Sequence, residues 1–299
     1  MKKLIMALAL TASIAWGATR QEIVDHLQSV AVTIRAESDF SRSEGSGICK
    51  LVDMGGKKRC LVVTCAHVVD SLMKKTPGIG KDGKPKVAVT FKDASILRRI
   101  VEDGREVGEM KLNAQIIAFT EKHDVAILLV RSTEFKPGNA KFYLGSDQIP
   151  LGTKCLHVGS LLGALGSQSL TRGILSARGR MVKGQPYLQS DATIFPGSSG
   201  GLLAKESDGE VIAIIQRGAG EGFGLGAPVA GRVMTWAKKA KLEWVFDDAK
   251  TGPKLEEFKE RIPVMGDGGK PALADKDKKG YNGEFKILPR VVPKVTTRE

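Results

Sequence analysis

Phe195-Pro196-Gly197-Ser198-Ser199-Gly200-Gly201-Leu202 is the stretch on which the reading of this chain turns. A serine sits inside a glycine-rich turn flanked by apolar segments. Glycines on both sides let the backbone bend sharply, expose the hydroxyl and aim successive N–H groups at one point. Acyl transfer needs that combination, a nucleophile beside donors for an oxyanion. A plain Gly/Ser turn fits the same residues, because short motifs of this kind are common. The rest of the chain must therefore supply a base and an acid to orient it.

The base candidates are His26, His67, His123 and His157. His67 stands in Thr64-Cys65-Ala66-His67-Val68-Val69-Asp70, where an apolar strand gives way to a helical turn, so its ring can reach a cleft. His26 lies on a leading helix and His157 alternates into a strand, and both read as structural. His123 adjoins Asp124, and adjacent side chains rarely face each other. Asp124 is the natural acid. It precedes Val125-Ala126-Ile127-Leu128-Leu129-Val130, a buried strand, where a carboxylate is costly unless paired and hydrogen-bonded. A histidine N–H suits it; a strand-end Asp that caps a loop is the bland alternative.

The surrounding pattern is of short strands. Arg20 to Ser29 reads as a helix and Val30 to Ile34 as a strand. Gly45 to Val52 and Arg59 to Thr64 make a hairpin. Residues 74–86 are rich in Lys, Gly and Pro and read as a surface loop. Residues 92–109 form a twisted hairpin or an exposed excursion, and Met110 to Phe119 is a strand. Residues 132–152 connect two halves. Lys154 to Gly159, Ser169 to Ala177, Tyr187 to Ser190, Gly201 to Ala204 and Glu210 to Gln216 are the strands of the second half. Many short strands between turn signals argue for barrels or a sandwich. Pro228 to Lys241 reads as a helix.

The stretches around His67, Asp124 and Ser199, in that order, resemble the three signature segments of chymotrypsin-fold (trypsin-like) serine proteases. The similarity is greatest to the bacterial Do-like (high-temperature-requirement) branch. Leu156-His157-Val158-Gly159-Ser160, Thr171-Arg172-Gly173-Ile174-Leu175-Ser176-Ala177 and Gln189-Ser190-Asp191-Ala192-Thr193 support it, and the resemblance spans roughly Val30 to Lys241. It implies an all-β fold of two six-stranded antiparallel β-barrels, a chymotrypsin-like double barrel, with a C-terminal helix and the site in the crevice between barrels. It implies Ser199 as nucleophile, His67 as base and Asp124 as its orienting acid. Gly197, Ser198 and Ser199 would supply the oxyanion hole. This chemistry calls for no metal and no organic cofactor.

The chain departs from the branch in two places within the turn. Do-like relatives have Asn before the nucleophile and Pro after the paired glycines, where this chain has Ser198 and Leu202. The branch's peptide-binding PDZ module is not expected after the barrels. Thr193 stands where a trypsin-like pocket would need Asp, so no carboxylate awaits a basic side chain. Thr193, Ile215 and Gln216 are the expected substrate-binding residues, and Gly218, Gly220 and Gly224 the pocket wall. A small or medium apolar residue before the scissile bond is expected.

The 299 residues, 42% hydrophobic, suffice for one large domain or two small ones. The net charge is +13, but Lys and Arg are scattered and aromatics make only 5%. That argues against nucleic acid, whose binders cluster basic residues among stacking aromatics; an anionic cell surface or acidic substrate stays open. Residues 1–17 read as a signal peptide, with Lys2 and Lys3 ahead of the apolar run Leu4 to Trp16, which is too short for a typical span. A protease domain then covers 18–250 (barrels about 30–131 and 153–227, helix about 228–241), and 251–299 is a basic, flexible tail. The location expected is periplasmic or secreted, with no stable membrane span after cleavage and with protein or peptide substrates as partners.

Four cysteines in an exported chain permit disulfides. Cys49 and Cys60 flank the turn Asp53-Met54-Gly55-Gly56 and can face each other across a hairpin; free, buried thiols are the competing reading. Two functions fit. One is a serine endopeptidase working through an acyl-enzyme. The other is a catalytically inactive or latent member of the fold, acting as a peptide-binding or chaperone-like module. An α/β-hydrolase fits worse, since there the serine precedes the acid and the histidine.

Overall fold

The computed structural model describes residues 18–39, 41–79, 85–102, 105–218 and 223–256. The expected signal segment 1–17 and most of the expected tail lie outside them. A helix, α1 (Arg20–Val30), opens the described chain. Thr19 and Glu22 close a capping box at its start, and Ile23, Leu27 and Val30 are its buried face.

Fourteen strands follow in the described residues. They are β1 (Ala31–Glu37), β2 (Arg42–Asp53), β3 (Lys58–Thr64), β4 (Met73–Ile79), β5 (Pro85–Phe91), β6 (Ala94–Glu102), β7 (Arg105–Thr120) and β8 (Val125–Val130), then β9 (Lys154–Leu161), β10 (Gly166–Val182), β11 (Gln185–Ser190), β12 (Leu202–Lys205), β13 (Val211–Gly218) and β14 (Gly224–Pro228). Strands β1-β2-β3-β8-β7-β6 close one barrel and β10-β11-β14-β13-β12-β9 another, all pairs antiparallel. This is the chymotrypsin-like double barrel. Closure removes the sheet edges that would otherwise be left unpaired. The all-apolar β8, buried at every position, passes through the first core.

The barrels meet on a shared apolar core, in which Leu156, Val158 and Leu202 of the second join Ile34, Ile48 and Val63 of the first. Three hydroxyls cross that seam: Thr33 Oγ1 lies 2.6 Å from Ser160 Oγ and 2.7 Å from Ser167 Oγ. A π-helical turn (Val229–Val233) and a short helix, α2 (Met234–Lys239), come after β14. The chain then returns to the first barrel, where the buried Lys50 ammonium donates to the Ala140 carbonyl and the Asp248 carboxylate, each at 2.6 Å. The Gly252 N–H donates to Asp53 at 2.8 Å.

Two expectations change. Residues 74–86 are not a plain loop: β4 and β5 form a hairpin, in register from Met73 opposite Phe91 to Ile79 opposite Pro85. The described β4 side chains are exposed after Met73, so no in–out alternation marks it in sequence. Cys49 and Cys60 are free thiols. Cys49 opposes Val62, and Cys60 opposes Leu51, so the two sit diagonally rather than directly across the hairpin. Burial first, then the neighbouring Cys60 thiol, push the Cys49 pKa well up.

Candidate active site

The site is built where strand ends of both barrels converge. After β3, Cys65 leads into the single helical turn Ala66–Val69, and this puts His67 at the rim, its side chain 43% exposed. Asp124 ends the turn before β8 and is 13% exposed. Nδ1 of His67 lies 2.9 Å from both carboxylate oxygens of Asp124, and the backbone N–H of His67 donates to Oδ1 at 3.0 Å. Burial opposes ionisation of Asp124. The hydrogen bonds and charge of His67, with Arg217 nearby, outweigh it and hold the carboxyl below its usual range.

Ser199 follows Gly197, whose φ of +95° is open only to glycine at low cost. Three neighbours fix the turn. Leu162 N–H donates to the Pro196 carbonyl at 2.7 Å. Ser46, on β2, donates its N–H to the Ser199 carbonyl and its hydroxyl to the Gly197 carbonyl, both at 2.7 Å. The same hydroxyl accepts the Ser160 N–H at 2.7 Å. Gly201 N–H donates to the Ser198 carbonyl at 2.9 Å. In a trans peptide the N–H points opposite to the C=O. Pinning the carbonyls of Pro196 and Ser198 therefore orients the N–H groups of Gly197 and Ser199, and among the described residues neither has a protein acceptor.

Ser198 departs from expectation. Its N–H donates to the Phe195 carbonyl at 2.9 Å, and its hydroxyl accepts the Phe195 N–H at 3.2 Å. It braces the turn from inside, 1% exposed, and its backbone N–H is engaged within the turn and not offered to an oxyanion. Among the described residues the Ser199 hydroxyl makes no hydrogen bond, so serine and histidine share the rim without direct contact.

The expected substrate-binding residues are placed otherwise. Thr193 is exposed, and its carbonyl accepts the Thr171 hydroxyl at 2.8 Å. Its neighbour Ile194 turns inward instead. A Cβ built on Gly224 would lie 2.9 Å from Ile194 Cδ1, and one on Gly218 3.3 Å, so Ile194 fills the slot between these glycines. Ile215 belongs with its side chain to the second barrel's core; only its backbone reaches the turn, accepting the Gly200 N–H at 2.7 Å. Gln216 faces inward under the acid, donating to the carbonyls of His123 at 2.9 Å and Asp124 at 2.7 Å. On β13, alternation turns the neighbours Ile215 and Gln216 to opposite faces, whereas Thr193 and Ile194 lie in the irregular segment after β11.

His26 is partly buried on α1, where burial and Lys141 lower its pKa. His157 is wholly buried beneath the turn, with Nδ1 2.9 Å from the Leu202 carbonyl, and desolvation lowers its pKa to about 4. Ser46 escaped the sequence reading, because a buried serine between two glycines carries no signal of its own. Cys65 Sγ, a ring nitrogen of His67 and an Asp124 oxygen lie within 4.8 Å of one another, a donor set of the kind that can hold a metal. The thiol instead meets the Ile215 carbonyl at 3.1 Å, and burial followed by the Asp124 charge pushes its pKa well up. The histidine–carboxylate spacing is that of a hydrogen bond, so the group works as a hydrogen-bonded pair beside a neutral thiol.

A family model described as a trypsin-like peptidase domain matches residues 45–214, more than half of the chain. The chain is 35% identical over 118 residues to the serine protease Do-like HtrA of Lactococcus lactis, covering 36% of this chain and 28% of that protein. It is 35% identical over 139 residues to a probable periplasmic DegP-like serine endoprotease of Pseudomonas fulva, covering 42% and 27%. It is 28% identical over 191 residues to the putative serine protease HhoB of Synechocystis, covering 63% and 38%. The aligned part is thus less than two fifths of each relative's length. Among solved structures, the HtrA-type protease AlgW with a tripeptide superposes with a TM-score of 0.51 at 22% identity, covering 76% of this chain and 64% of that one. The serine endoprotease from Yersinia pestis gives 0.50 at 23%, covering 78% and 69%. Both likenesses concern the fold.

Proposed function

Because this chain belongs to the trypsin-like peptidase family, we propose that it is an exported serine endopeptidase that cleaves extended segments of other proteins through an acyl-enzyme. The observation that carries the proposal is the His67–Asp124 pairing beside a turn whose Gly197 and Ser199 N–H groups have no protein acceptor among the described residues. Asp124 fixes the His67 tautomer that leaves Nε2 free to take a proton. Ser199 Oγ attacks the carbonyl carbon as its proton passes to Nε2. The oxyanion is held by the two free N–H groups, and Nε2 returns the proton to the departing amine. Water then enters by the same route and releases the acid. Periplasmic location is part of the proposal; it is supported by the apolar run Leu4 to Trp16 and by the names of relatives. The apolar slot filled by Ile194 supports a small residue before the cleaved bond.

A second reading, a latent or purely binding member of the fold, is favoured by one observation: the Ser199 hydroxyl is not bonded to His67. Such contacts are often loose without substrate. Digestion of unfolded casein separates the readings. The endopeptidase reading predicts fragments with wild type and none with Ser199→Ala; casein binding without cleavage by wild type supports the second.

A further inference from the structure

Asp124 has φ +53°, in the left-handed region that costs a residue with a side chain. Within its own turn the Asp124 N–H reaches the Glu121 carbonyl at 3.2 Å, and the His123 N–H reaches the Thr120 hydroxyl at 3.4 Å. Distant parts of the chain add shorter bonds. The Gln216 amide spans the two successive carbonyls of His123 and Asp124, and Arg232 Nη2, from the π-helical turn after β14, donates to the His123 carbonyl at 2.8 Å. These carbonyls belong to the peptides on either side of the Asp124 Cα, so fixing them fixes its φ and ψ.

Arg232 is 5% exposed, its guanidinium lies 4.6 Å from the Tyr187 ring centroid, and no carboxylate pairs with it among the described residues. Its Nε and Nη1 have no acceptor there. A buried cation without a counter-ion is a costly choice where an apolar side chain of similar volume would pack as well. We propose that Arg232, acting with Gln216, is a positioning residue for Asp124. The pair clamps the left-handed turn so that Oδ1 meets both the N–H and Nδ1 of His67, which ties the C-terminal segment to the site. This rests on the endopeptidase reading above.

The test uses the full chain with Arg232→Met and Arg232→Lys, a peptide substrate, and the far-downfield proton NMR signal of a His67 Nδ1–H held by a carboxylate. Arg232→Met is expected to lower kcat about 10–100-fold, as misplacement of a supported group does, with KM within about twofold. The downfield signal should broaden or vanish, and Arg232→Lys, which keeps a donor and the charge, should recover most of both. Wild-type kcat and signal in Arg232→Met would overturn the proposal, as would equal losses in kcat for both variants with the signal intact. If Arg232→Met does not fold, Gln216→Met carries the same two readouts with the same expectations. If wild type proves inactive, the endopeptidase reading fails, and the NMR signal still decides whether Arg232 positions Asp124.

Discussion

Oδ1 of Asp124 accepts the backbone N–H of His67 at 3.0 Å, and the ring Nδ1 of the same histidine lies 2.9 Å from it. One carboxylate oxygen thus fixes both where the histidine backbone sits and how its ring is turned. Asp124→Asn can accept the backbone N–H, but its amide can present a donor to Nδ1 and favour the wrong tautomer. The expected outcome is a loss of about 10⁴ in kcat with the thermal midpoint nearly unchanged. Steady-state kinetics on a chromogenic peptide, beside a melting curve, check it.

Gly197→Ala probes the turn. Its φ is +95°, and an added Cβ would press on the Ser160 carbonyl and on the Gly163 backbone, neither of which can swing aside. Displacing one oxyanion donor should lower kcat about 10²–10³-fold, and the strain should cost about 1–3 kcal/mol. Wild-type turnover in this variant would remove Gly197 from the proposed hole.

The slot predicts selectivity. Ile194→Gly should empty the space between Gly218 and Gly224 and shift preference from alanine or valine toward phenylalanine before the cleaved bond. One methylene of fit is worth about 10–200-fold in kcat/KM. Competing peptide substrates give the ratio directly, and an unchanged ratio would place the specificity slot elsewhere.

Acid should destabilise the fold in two windows. His157 is buried neutral, with its pKa lowered from 6.5 to about 4. The unfolded state binds the extra proton, so stability is full above pH 6.5 and falls as pH drops toward 4, by about 3 kcal/mol in all. For Glu44 burial works against ionisation, yet hydrogen bonds from Arg42, the Ala164 N–H and Arg35 bring its pKa down to about 2. Its contribution is full above about 4.5 and is lost as pH falls through 2. Urea midpoints against pH should lose the upper window in His157→Gln and the lower one in Glu44→Gln; a His157→Gln profile identical to wild type would contradict the first assignment.

The run of short strands leaves barrel and sandwich both open, and it is the resemblance of the ordered motifs around His67, Asp124 and Ser199 that makes the double barrel legible. What stayed hidden has physical reasons. Lys86 to Phe91 alternates and reads as a strand, but its partner β4 is exposed after Met73 and lacks alternation, so the hairpin does not show in the sequence. Thr193 is expected at the pocket base by resemblance and Ile215 and Gln216 on the substrate strand, but the irregular segment after β11 turns Ile194 into the slot and the pleat of β13 puts Gln216 under the acid. Ser46, Gln216 and Arg232 act through backbone carbonyls far away in sequence, and such contacts leave no local pattern.

The central claim is that Ser199 is a nucleophile made reactive by His67 and held beside donors that are free. Labelling with a fluorophosphonate, followed by mass spectrometry of the digested protein, tests it most directly. The account predicts one phosphonate per chain, on Ser199 in wild type, none in Ser199→Ala, and far slower labelling in His67→Ala. Folded wild-type protein that takes up no label, or labels on another serine, would contradict it.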